Sequence, residues 1–196
     1  MNFKSTKSRL LLTVGAVVVV ATIGVGATSL ALFTSTTAVP ANTFSTGTVI
    51  ISTSPVTALV TFANMAPGDA VTSPLTVSNT GTLALRYAVS SVATNVDTKG
   101  LKDQLVLTIK SGVTTCTTAG FTADGTSVYT GDLDSTAGLI IGNSTTGQDT
   151  GDRTLAAGTN EVLCFNVSLP LATNDTFQGS ATTATFTFNA EQTKNN

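Results

Sequence analysis

The chain of 196 residues reads as an all-β protein: a jelly-roll-like antiparallel β-sandwich with long loops and at most one or two short helices. Three observations point there. The composition is strand-prone, with 40 Thr, 17 Ser and an apolar fraction of 41% rich in Val, Ile and Phe, side chains that fit a pleated surface. Several segments alternate apolar and polar residues with period two, as a half-buried antiparallel sheet requires. Turn chemistry recurs every 8–15 residues or so, the rhythm of a sandwich or jelly roll.

The predicted elements follow in chain order. Phe44–Thr53 and Val56–Ala63 are strands by their Thr, Val and Phe content. Ala66-Pro67-Gly68-Asp69 then makes a turn, because Pro presets φ and Gly accepts positive φ. Ser73–Ser78 and Ala84–Val92 are strands separated by the turn Asn79-Thr80-Gly81. One short helix is expected at Thr98–Gln104, capped by Asp97 or Thr98, although Gly100 weakens it. Leu105–Ser111 is the next strand. Residues 119–159 are rich in Gly, Ser, Thr and Asp and read as long loops with weak strands at Thr126–Leu133 and Leu139–Gly142. In Glu161–Leu169, Leu163, Phe165, Val167 and Leu169 share the face expected to enter the core. In Ala181–Ala190, Ala184, Phe186 and Phe188 point one way while Thr185, Thr187 and Asn189 point the other. Arg86, Tyr87 and the remaining Phe residues read as sheet-face and core positions.

The first 31 residues differ in kind. Lys4, Lys7 and Arg9 precede an uncharged run from Leu10 to Ala31, and Ser29 and Ala31 place small residues at −3 and −1. The predicted organisation is a signal peptide over 1–31 cleaved between Ala31 and Leu32, an N-terminal arm over 32–43, and a single sandwich domain over 44–196. The run of 22 residues also has the ~33 Å length of a membrane anchor, so the only membrane contact expected is through an uncleaved leader. Either way the rest of the chain is exported, because the positive charges stay inside. The expected localisation is secreted, in an extracellular matrix or at the cell surface. In that oxidising setting Cys116 and Cys164 suggest one disulfide, worth roughly 4 kcal/mol for a closed loop of about 49 residues, against the alternative of two buried thiols.

Charge excludes several classes. Only 10% of residues are charged and the net charge is −2, too little basic surface for nucleic acid. The chain has no His, which removes the commonest general base and zinc ligand. No charged residue stands between Arg9 and Asp69. A free surface strand normally carries charge to block edge pairing, so an uncharged arm suits pairing instead.

The ordered set Leu30-Ala31-Leu32-Phe33, Phe44-Ser45-Thr46-Gly47-Thr48-Val49, Asn64-Met65-Ala66-Pro67-Gly68-Asp69 and Asn79-Thr80-Gly81-Thr82-Leu83 resembles the TasA/camelysin family of exported bacterial proteins. The tail Glu161–Glu191 looks similar to that of Gram-positive members. The resemblance implies a jelly roll, processing by a SipW-type signal peptidase, and self-association into biofilm-matrix fibres in which a freed N-terminal strand pairs with the next subunit. The arm supplies Leu32, Phe33, Ala38 and Val39. Burying its large apolar side chains at about 1.5–3 kcal/mol each gives roughly 5–9 kcal/mol gross per junction, part of it consumed by ordering entropy.

Camelysin attaches a metallopeptidase label to part of the family. Without His-Glu-x-x-His, or any His, that activity is not expected here, and no cofactor is. Oxygen-rich loops leave Asp132 and Asp134 as weak calcium candidates, near Asp124, Asp149 and Asp152, but their spacing matches no calcium loop. The function expected is a structural fibre subunit. The alternative is a monomeric or membrane-tethered surface module that binds a ligand or partner.

Overall fold

The computed structural model describes residues 35–38, 40–57 and 59–194. The chain forms two units, Met1–Phe44 and Ser45–Asn196. In the first, the described residues carry neither helix nor strand and are exposed, Ala38 among them. The expected signal peptide, the cleavage pair Ala31 and Leu32, and arm residues Phe33 and Val39 lie outside the described residues.

The second unit is an antiparallel sandwich. Its described strands are β1 (Ile51–Ser54), β2 (Ala70–Asn79), β3 (Leu85–Ala93), β4 (Val106–Ser111), β5 (Thr126–Asp132), β6 (Leu139–Ile141), β7 (Arg153–Leu155), β8 (Asn160–Ser168) and β9 (Ala184–Gln192), with short helices α1 (Leu101–Gln104) and α2 (Thr118–Ala123). One sheet has the order β1-β2-β8-β4-β5. In the other, β3 is central: β9 pairs along its whole length, while β7 and β6 pair with Leu85–Tyr87 and with Val89–Ser90.

Period two explains the core. Leu163, Phe165 and Val167 of β8, followed by Leu169, are all buried, as their spacing predicts. Leu75 and Val77 of β2, Leu107 and Ile109 of β4, and Leu85, Tyr87 and Val89 of β3 join the same cluster. Phe186 of β9 meets Phe165 edge-on with ring centroids 5.3 Å apart, and Phe188 lies 6.0 Å from Tyr87, so β9 reaches both the facing sheet and its own neighbour strand.

Cys164 points away from this core yet is buried. The disulfide to Cys116, with a Cα–Cα distance of 5.6 Å, ties the β4–β5 connection over the outer face of the first sheet. There α2 packs on β2 and β8, with Thr117 accepting from the Gly120 N–H at its start and Phe121 buried. Lys110 stands 4.7 Å over the Phe121 ring and donates to the Phe121 carbonyl at 2.6 Å.

Four expectations need correction. The strand expected over Phe44–Thr53 shrinks to β1, because the preceding carbonyls bond a turn instead of a strand: Thr82 and Leu83 N–H donate to Thr48 O at 3.0 and 3.1 Å, and Thr80 N–H to Ile50 O at 2.9 Å. In the expected strand Val56–Ala63 the described residues form none; Leu59 and Val60 pack on the core without a ladder. Helix α1 starts later than expected, since Thr98 (φ 58°) and Gly100 (φ 75°) are left-handed, and no side chain caps it. Helix α2 and strand β7 fall in the stretch read as loop with only two weak strands.

Candidate functional site

The turn residues that carry the family resemblance do structural work. Asp69 accepts from the Ala66 N–H at 2.7 Å, while Gly68 takes φ 96°, closing the Pro-Gly-Asp turn. Asn79 is buried and fully engaged: its amide donates to Leu83 O (2.8 Å), Leu155 O (3.2 Å) and Ala156 O (3.1 Å), and its oxygen accepts from Gly81 N–H (3.0 Å). That one side chain joins the β2–β3 turn to the end of β7. A Cβ on Gly81 would run into the Thr48–Ile50 backbone, which explains a glycine there. None of these residues offers chemistry to a ligand.

The feature with reach beyond the domain is a strand edge. Among the described residues no strand lies against the outer side of β9. The stretch Ala184–Ala190 has no charge and no Pro, with Thr185, Thr187 and Asn189 exposed and Phe186 and Phe188 only partly buried. Strand β2 is a second, shorter opening: β1 covers only Thr76–Asn79, leaving Ala70–Leu75 paired on the β8 side alone. Pro74 lies in that stretch and has no N–H to give to a ladder, so this edge is blunted where β9 is not.

Two ionic clusters brace the second sheet. Tyr87 donates its hydroxyl to Glu161 at 2.7 Å, crossing from one sheet to the other, and Arg153 holds the same carboxylate with two contacts of 2.9 and 3.0 Å from Nε and a further one from Nη2. Burial, then the Glu161 hydrogen bond, pushes the Tyr87 phenol far above its usual range. The hydrogen bond to Glu161 holds Arg153 more firmly charged. Arg86, on the other face of β3, pairs with Glu191, its direct partner on β9.

The acidic residues singled out in the sequence are dispersed. Asp134 meets Lys102 at 3.1 Å, and Asp132 is exposed at the end of β5. Asp124 accepts from the Thr114 N–H at 3.2 Å beside α2, far along the chain from Asp149 and Asp152, which organise the β6–β7 loop. Among the described residues no three His, Cys, Asp or Glu side chains stand together in a way that could hold a metal ion. Nor is any described helix long and apolar enough to cross a membrane.

Fold and site together define a disulfide-stapled β-sandwich with an open, uncharged strand edge. The family of the camelysin metallo-endopeptidase matches residues 9–196, and the chain belongs to that family. No curated protein matches it. Among solved structures it is similar to the ASH/PapD-like domain 7 of human CEP192, at 13% identity and a TM-score of 0.28, covering 83% of this chain and 96% of that one. The family's metallopeptidase label does not fit the residues present. The two Cys are joined to each other, the chain has no His, and the carboxylates are dispersed or consumed by lysine and backbone partners.

Proposed function

We propose that this chain is an exported structural subunit of a cell-surface or matrix fibre, without catalytic activity, in which the arm 32–43 of one copy adds as a strand to the next. The open β9 edge is the observation that carries the reading. An edge of seven uncharged residues has no partner strand on its outer side among the described residues, and the half-buried Phe186 and Phe188 beside it leave apolar surface. Natural edges usually carry Lys, Pro or a bulge to prevent such pairing. An added strand satisfies the main chain, and its alternate side chains extend the burial of both rings. An arm that leaves one copy and enters another makes a head-to-tail contact, which propagates instead of closing. The proposal includes release of the arm by a SipW-type peptidase between Ala31 and Leu32. The missing His and, among the described residues, the want of a metal-ligand cluster support the part of the reading that has no catalysis.

The test compares the chain starting at Leu32 with the same chain bearing Thr185→Lys and Thr187→Lys. Light scattering should grow with concentration and electron microscopy should show filaments for the first and not for the second. A Leu32 chain that stays monomeric at high concentration sinks the reading and leaves the monomeric surface module.

A further inference from the structure

The connection from β1 to β2 leaves its own sheet early. Strand β1 pairs with β2 from Ile51↔Asn79 to Ser54↔Thr76. One rung further the same register sets Pro55 opposite Leu75, and the next sets Val56 opposite Pro74. A proline has no N–H to give to a ladder, so two successive rungs are weakened and the pairing ends there. Leu59, Val60 and Met65 pack instead on the core between the sheets. Asn64, left-handed at φ 59°, and the turn that Asp69 closes on Ala66 fix the far end.

A cavity of about 310 Å³ lies between this stretch and β9. It is lined by Leu59, Val60 and Phe62 and by Thr183, Ala184 and Phe186, with no charged residue on its walls. No main-chain hydrogen bond joins 59–65 to any described residue. The outer side of β9 has no described partner strand either. Two stretches of main chain with hydrogen bonds to make thus share one uncharged gap, and beside apolar walls such groups need water or each other. Leu59-Val60-Thr61-Phe62 has the branched and aromatic composition of a strand.

We infer that residues 59–63 are a strap that closes across this cavity and pairs with the start of the β9 edge within its own chain. Closure gives both stretches main-chain partners and covers Phe186. The strap then occupies the edge that a neighbour's arm uses, so an incoming arm must displace it. That consequence rests on the fibre reading, whereas the closure itself does not. A strap of this kind guards an edge that carries no Lys or Pro of its own.

The experiment is amide hydrogen exchange on the full chain. In the parent, the amides of Val60–Phe62 and those of Ala184–Thr187 that point away from β3 should exchange at least about tenfold slower than in an unstructured peptide. Thr61 is exposed, and Thr61→Pro removes its N–H while leaving Leu59 and Val60 in place. That variant should return the β9 amides to the free rate. Thr61→Ala keeps the N–H and should keep the parent's protection, with β8 exchange unchanged in both. In the chain starting at Leu32, Thr61→Pro should shorten the lag of filament growth. Free exchange of Val60–Phe62 in the parent, or equal β9 protection in Thr61→Pro, overturns the strap, and the parent measurement decides even if a variant does not fold. Strap protection in a chain that forms no filaments sinks the fibre reading alone; filaments from a chain without strap protection sink the strap alone.

Discussion

Asn79 shows how one residue can hold a fold without touching its function. Its amide and oxygen serve four backbone groups in a buried place, so Asn79→Ala leaves several of them without partners. The expected loss is about 2–3 kcal/mol of stability, read as a lower midpoint in chemical denaturation. Tyr87 and Tyr129, the only tyrosines in the chain, make a second residue-scale test. An ordinary tyrosine titrates near pH ~10. Burial and Glu161 raise Tyr87 above that, and burial, then the charges of Asp132 and Asp134, raise Tyr129. Above the ordinary value the unfolded chain gives up protons that the folded one keeps. The stability these groups contribute is therefore whole below about pH 10 and falls as pH rises beyond it. In an alkaline titration followed by tyrosinate absorbance and circular dichroism, the Tyr87 part of the absorbance should rise together with unfolding. If Tyr87 too titrated near pH ~10 in the folded protein, its burial would be contradicted.

At the scale of elements, the sandwich protects its faces differently. The outer face of the first sheet is covered by α2, and the disulfide fastens that cover to β8. Replacing both cysteines (Cys116→Ser with Cys164→Ala) should cost roughly 2–4 kcal/mol and lower the melting temperature. Faster amide exchange should concentrate in residues 112–125, because β8 remains paired with β2 and β4 on both sides. Uniformly faster exchange across β8 would show that the staple supports the whole sheet. The edges also differ. Strand β2 is blunted by Pro74, whereas β9 is long, uncharged over Ala184–Ala190, and has no described strand on its outer side there. A single Thr187→Lys on β9 should leave the melting temperature nearly unchanged, within about 0.5 kcal/mol, while reducing self-association.

At the scale of the whole molecule, inventory and placement together bear on the contest between a catalytic and a structural role. A family name that contains a peptidase meets a chain with no His, whose two Cys are bonded to each other. Adding zinc or a chelator should therefore leave both proteolysis of casein and the melting curve unmoved; a chelator-sensitive proteolysis would overturn the structural reading. Much of this was legible beforehand. The alternation in β8 and β9 marks their inward faces because a strand repeats every two residues whatever surrounds it, and the Pro-Gly-Asp and Asn-Thr-Gly turns announce themselves because φ preferences are local. The uncharged run from Arg9 to Asp69 and the missing histidine are properties of composition alone. Other features have no local signature. Val56–Ala63 looks like a strand, yet Leu59 and Val60 pack on the core while Val56 and Phe62 stay exposed, and its described residues join no ladder. Strand β7 has only three residues and exists because β3 lies beside it. The burial of Arg86 depends on a loop more than fifty positions away, folded over the face where Glu191 waits. Local propensity and composition belong to the chain as written, whereas edges, coverings and cavities arise from which distant segments become neighbours, and that is settled only when long-range pairing outweighs the entropy of bringing them together.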